Sequence, residues 1–262
     1  MFRIWPRIAA AAAVLPALAG GLAAQAGGED TARKPFEAIP LGNDVVLRPK
    51  RVALTNRRGV QCEITHPLVT GGSTPELRDA LQETLSLESV LDIPLGEARK
   101  EILTDDYLCY DIGYSVRFRR GYLLDVGYSL TVHSGGRFRY GYRNRVVDLR
   151  TGERLLARQV FDPAALPALA KQLDRRLQAD ITKQIARDQH DGDWGYLDDT
   201  GAPKRFREED LGNFSVDEQG ITFYFEFAFP DMAPFQPAHY FLSWSELRPY
   251  VRPDGALAPL LR

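Results

Sequence analysis

Four histidines, His66, His133, His190 and His239, are the residues of this chain best suited to holding a metal or moving a proton. No two stand at the spacing that puts two imidazoles on one helix face. The sequence also lacks a His-Glu-x-x-His, a Gly-x-Ser-x-Gly, a phosphate-binding loop and a dinucleotide fingerprint. Catalytic triads can assemble from distant positions, but no local pattern here assigns a catalytic residue, a metal or a cofactor. Each histidine reads as a loop or strand-end residue bonded to backbone. The acidic run Asp188, Asp191, Asp193, Asp198 and Asp199 carries oxygen ligands without the order of a calcium loop, and it reads as a solvated connection.

Two groupings point to binding instead. Arg137, Arg139, Arg143 and Arg145 alternate along one stretch and would share a strand face, a basic strip suited to an anionic glycan, a lipid head group or an acidic protein. Arg145 is expected opposite Asp125. His133 stands at the turn that opens the strip. Trp194 and Tyr196 are an aromatic insertion in an otherwise polar loop, where a ring can stack on a sugar or anchor a partner. The candidate ligand-binding residues are therefore His133, Arg137, Arg139, Arg143, Trp194 and Tyr196.

The elements that must position them follow from periodicity. Val60, Cys62 and Ile64 alternate with polar residues as a half-buried strand, and Ser73-Thr74-Pro75 opens a helix carrying Leu77, Leu81 and Leu85, expected over about 75–90. Residues 108–118 and 122–132 are two long alternating strands. A three-residue loop, Arg119-Arg120-Gly121, keeps all twelve apolar residues on one face; it pairs Val116 with Leu124, Tyr114 with Val126 and Ile112 with Tyr128. Pairing Val132 with Phe138 then brings in a third strand, with Asp125 opposite Arg145. Asp162-Pro163 starts a helix whose Leu166, Leu169, Leu173, Leu177, Ile181 and Ile185 recur at three and four, expected over 163–187. Phe214 and Val216 turn at 217–220 into Ile221, Phe223 and Phe225, and a short strand at 239–244 and a helical turn at 245–247 close the chain. The expected fold is α+β: an antiparallel meander with two main helices packed on one face.

Composition sets outer limits. The 262 residues include 33 Lys plus Arg and 35 Asp plus Glu, for a net charge of −2, so neither a strongly basic nucleic-acid binder nor a polyacidic tail is present. Arg3 and Arg7, an Ala- and Leu-rich run over 8–22 and Ala24-Gln25-Ala26 read as a secretory signal peptide over 1–26, too short in its apolar part to span a bilayer. Its removal takes two arginines and no acid, leaving 31 basic against 35 acidic side chains. Residues 27–51 read as a flexible lead-in and 52–262 as one domain, or as two subdomains split at 150/151. In an exported chain the only two cysteines, Cys62 and Cys109, are expected as a structural disulfide closing a loop of about 47 residues.

Two stretches resemble a known family. The run Tyr128 to Phe161, with its His133-Ser134-Gly135-Gly136 turn and Val147-Asp148-Leu149-Arg150-Thr151-Gly152, resembles the middle of the RsiV-like extracytoplasmic domain. Asn213 to Val251, with Phe214-Ser215-Val216, Gly220-Ile221-Thr222-Phe223-Tyr224-Phe225 and Ser245-Glu246-Leu247, resembles its C-terminal end. That family includes lysozyme-sensing anti-sigma factors and the non-catalytic N-terminal region of peptidoglycan deacetylases, and the resemblance spans roughly residues 58 to 252. Arg137-Phe138 here follows the glycines where family members carry Ala-His, so the role of the usual turn histidine does not carry over. The resemblance implies a periplasmic or secreted, non-catalytic binding or sensing module of the cell envelope. Its partner would be peptidoglycan, a cell-wall-active protein such as lysozyme, or another envelope protein, with no nucleic acid and no membrane span after signal cleavage. The alternative is an envelope hydrolase or deacetylase with a site of scattered His and Asp.

Overall fold

The computed structural model describes residues 37–261, apart from 43, 73, 92–93, 135–136, 188–194, 199 and 228–237; the side chains of Leu95 and of residues 134–139 are also outside the description. The expected signal peptide lies outside the described residues. Strand β1 (Ile39–Gly42) and β2 (Val45–Thr55) precede β3 (Gln61–Thr70). Helices α1 (Pro75–Thr84), α2 (Leu87–Leu91) and α3 (Leu95–Thr104) follow. Next come the long strands β4 (Cys109–Arg120), β5 (Leu123–Ser134) and β6 (Arg137–Asp148). The short α4 (Ala157–Val160) leads to α5 (Leu166–Arg187), entered through a 3-10 turn that Asp162 caps by accepting the Ala164 amide. A second sheet, β7 (Phe214–Val216), β8 (Gly220–Phe225) and β9 (Ala238–Ser243), then leads to α6 (Trp244–Leu247).

The class is α+β as expected, and the six strands β1 to β6 lie in chain order in one sheet. That sheet is mixed, because β3 and β4 run parallel, meeting at Ile64 and Ile112. The three helices between them form the crossover a parallel pair requires; α3 had no clear period in the sequence. Ordered structure also starts earlier than expected. Residues 39–42 and 45–51 of the expected lead-in are committed to β1 and β2, and Leu41, Val45 and Leu47 are buried.

Both meander registers depart from expectation. Between β4 and β5 the turn has two residues, Gly121-Tyr122, with Gly121 at φ +59° and Arg120 opposite Leu123. Such a turn alone would put the apolar sets on opposite faces. A β-bulge at Arg117 absorbs one residue, so that Val116 pairs with Val126, Tyr114 with Tyr128 and Ile112 with Leu130. The shared face survives for these residues, whereas Phe118 and Tyr122 join a different cluster. Between β5 and β6, Ser134 faces Arg137 and His133 faces Phe138, one residue away from the expected Val132 with Phe138. Two residues again separate the paired ends, the tightest hairpin length. A one-residue slip turns every side chain over: Arg143 and Arg145 now share the face of Val126 and Tyr128, and Asp125 stands opposite Val146, not Arg145.

Three clusters form the core. Leu81 of α1, Leu85 just past its end and Val90 of α2 pack with Leu124, Val126, Tyr128 and Val147; Leu87 and Ile102 pack with Cys62, Ile64 and Ile112. The α5 residues Leu169, Leu173, Leu177 and Ile181 enter the third cluster with Phe214, Phe223 and Leu242 of the small sheet, and with Phe118, Leu123 and Val146 from the large sheet's other face. The β6 edge is closed by side chains. Asn213 accepts the Asn144 amide and donates to the Tyr142 carbonyl, and Glu226 accepts the Tyr142 amide.

Candidate functional site

On the large sheet, the outward residues of β2 to β5 form a solvent-exposed polar face. Gly113, Ser115, Ser129 and Thr131 occupy the positions that alternate with the buried Ile112, Tyr128 and Val126. None is larger than threonine, so the surface dips. The resulting open groove, about 790 Å³, is centred on the parallel β3/β4 seam and reaches from Arg51 and Ala53 to Ser129 and Thr131. Its size is that of a small-ligand site.

Three charged side chains and a histidine stand in a row along this groove, one from each strand. Arg51 of β2 reaches Glu63 of β3, Nε to Oε1 3.8 Å. The Glu63 amide donates to Asp111 Oδ1 of β4 at 3.0 Å, and Asp111 Oδ2 meets His133 Nε2 of β5 at 2.9 Å. Asp111 is thus held from both sides. The Cys62–Cys109 disulfide, Cα to Cα 5.4 Å, ties β3 to β4 beside it, as the cysteine pattern had led us to expect. A cross-link between two strands joined by so little ladder keeps the two carboxylates in register. Such a bond persists in oxidising compartments.

The six sequence candidates do not form one constellation. His133 belongs to the groove through Asp111. Arg143 points to the opposite face of the sheet, partly buried and paired with Glu226. Arg137 and Arg139 lie in β6, but their side chains are outside the described part. Arg145 is a buried residue whose guanidinium donates to the Ser89 and Asn144 carbonyls, so no exposed strip continues to it. Tyr196 is corrected from loop anchor to core: it is 5% exposed and its ring meets Phe227 edge-on at 5.3 Å. Trp194 lies outside the described residues. Of the other histidines, His66 is buried in β3, which pushes its imidazole below the usual range, an effect the nearby Lys50 reinforces. His239 stacks beside Tyr224 on β9, and His190 is outside the described residues. Asp198, proposed as part of an acidic loop, organises a tight turn by accepting the Thr200 and Ala202 amides. Asp188, Asp191, Asp193 and Asp199 are not described. No group of three metal-ligating side chains occurs among the described residues, and none of their helices is long and apolar enough to cross a membrane.

Arg51, Glu63, Asp111, Ser129 and Thr131 carry no local motif, because each belongs to the outward half of an alternation whose apolar half is the stronger sequence signal. The signal was there: Asp111, Gly113 and Ser115 on one strand, and Gly127, Ser129 and Thr131 on the next, form an outward set of small and polar residues.

No protein-family model matches the sequence, and no curated protein matches it. Solved structures do share its fold. A DUF3298 family member from Bacteroides fragilis superposes with a TM-score of 0.53 at 15% identity, covering 83% of this chain and 96% of that one. A DUF3298 family protein from Pseudomonas aeruginosa gives 0.51 at 16% identity, covering 81% of this chain and 97% of that one. At these identities the likeness is one of fold.

Proposed function

We propose that this chain is an exported, non-catalytic binding or sensing module of the bacterial cell envelope, a single RsiV-like domain released after residue 26. Its ligand is peptidoglycan or a cell-wall-active protein such as lysozyme. The observation that carries the reading is the open polar groove. Strand pairing and a disulfide hold its walls, and sites on a rigid scaffold bind with little ordering cost. The Cys62–Cys109 disulfide supports an extracytoplasmic domain, and the motif resemblance supplies the ligand class. Protein secreted to an oxidising compartment should co-sediment with purified peptidoglycan sacculi or bind lysozyme by calorimetry. Binding to neither overturns the reading.

One observation favours an enzyme instead. A histidine fixed by a carboxylate that is itself held by a backbone amide has the form of a general base, and Asp111 and His133 are so arranged. An envelope hydrolase or deacetylase built on this pair would turn over muropeptides and lose that activity in His133→Gln. A module would release no product from sacculi, whether as the parent or as that variant.

A further inference from the structure

From the order of charges across the groove we infer that it takes a free α-amino carboxylate centre, such as the end of a diamino-acid residue in a peptidoglycan stem peptide. This rests on the envelope reading above and narrows its ligand. The row runs Arg51, Glu63, Asp111, His133, one residue per strand. Its two central members are carboxylates on neighbouring strands, about 5 Å apart at the backbone. Two adjacent carboxylates call for an ammonium group between them, and the guanidinium one strand further out receives a carboxylate in the planar, two-point fashion suited to it. An amino acid's ammonium and carboxylate share one carbon, which matches this step between adjacent strands.

Asp111 keeps its bonds to the Glu63 amide and to His133, so the ammonium would meet the Glu63 carboxylate first, and the Arg51–Glu63 contact is the looser one in the row. Arg51 and Glu63 are more than half exposed and meet at 3.8 Å, and exposed pairs of that kind contribute little and exchange partners readily. The small floor serves the same ligand. Gly113 has no side chain, and a Cβ there would stand 3.3 Å from Ser129 Oγ; Ser129 and Thr131 add hydroxyls that can bond a peptide backbone. A sugar ring would need an aromatic platform, and the outward floor residues Ala53, Gly113, Ser129 and Thr131 supply none.

The test titrates the secreted, disulfide-bonded protein with meso-diaminopimelate and with a stem tripeptide ending in it, by calorimetry. Two controls carry the same tripeptide, one with its free amine acetylated and one with the neighbouring carboxylate amidated. We expect saturable binding of the tripeptide, at least tenfold weaker after either modification. Glu63→Gln and Arg51→Met should also weaken it at least tenfold. Ser129→Tyr, at an exposed floor position, should abolish it while leaving the thermal midpoint unchanged. Equal binding of all three peptides, or full binding by Ser129→Tyr, overturns the inference. If Ser129→Tyr still sediments with sacculi as the parent does, the envelope reading stands and the contact lies elsewhere. If the parent binds neither sacculi nor lysozyme, the envelope reading itself fails.

Discussion

The carboxylate of Asp125, on β5, accepts the backbone amide of Val216, on β7, at 2.9 Å, and this bond joins the two sheets inside the core. Asp125 is fully buried. The bulge residue Arg117 lies across the side-chain-free Gly127 two positions along and donates to the Tyr224 hydroxyl of β8, a second link between the same sheets.

Burial raises the Asp125 carboxyl from 3.8 to about 7, against the opposing effects of the Val216 amide and of Arg117. A carboxyl raised on folding makes the native state bind more protons than the unfolded chain between the two values. The stability this group contributes is therefore full below about pH 4, falls as pH rises towards 7 and is lost above it. The loss from this one group is on the order of 4 kcal/mol at most. Asp125→Asn keeps an acceptor for Val216 and removes the charge, so urea denaturation should show the variant gaining on the parent as pH rises from 5 to 8. A parent whose stability rises over that interval as steeply as the variant's would refute the assignment.

The disulfide closes 47 residues, including all three crossover helices. On the chain-entropy estimate, replacing both cysteines by serine should cost about 4 kcal/mol. The denaturation midpoint of the double variant, or of the parent in reductant, reads this directly. The groove should suffer with it, since β3 and β4 meet there at a single bridge.

Tyr196→Ala should destabilise the fold by about 3 kcal/mol, because it opens a cavity against Phe227 in the α5 cluster. Ligand affinity of the fraction that remains folded should be unchanged. A variant of normal stability that has lost binding would restore Tyr196 to the surface role its loop position first indicated.

Gly152 ends the turn after β6 with φ +77°, and a Cβ there would lie 2.8 Å from Ala80 Cβ and 2.9 Å from the Leu81 amide nitrogen. The turn also receives the Thr84 hydroxyl on the Gly152 carbonyl, so α1 is seated directly on it. Gly152→Ala combines a left-handed backbone with a clash against a helix, and should cost about 2 kcal/mol or more. Thermal melts would check this, with Gly121→Ala as the comparison. Gly121 has a similar φ but open space around it, and should cost about half as much.

Periodicity by itself determined which segments became β4, β5, β6, α5 and the β7/β8 hairpin, because each carries an apolar repeat long enough to demand one buried face. Cysteine count determined the disulfide, since two thiols admit one pairing. Register was a different matter. It turned on a bulge at Arg117 and on one residue in the β5/β6 turn, and both are cheap locally while reversing faces globally. That single-residue slip took Arg145 from an expected surface strip into the core and freed Asp125 to meet Val216. The parallel β3/β4 seam was equally invisible, because it is a spatial adjacency between strands separated by residues 71–108. Only the tertiary structure could bring Arg51, Glu63, Asp111 and His133 into one row: they come from four strands, and no local spacing relates them.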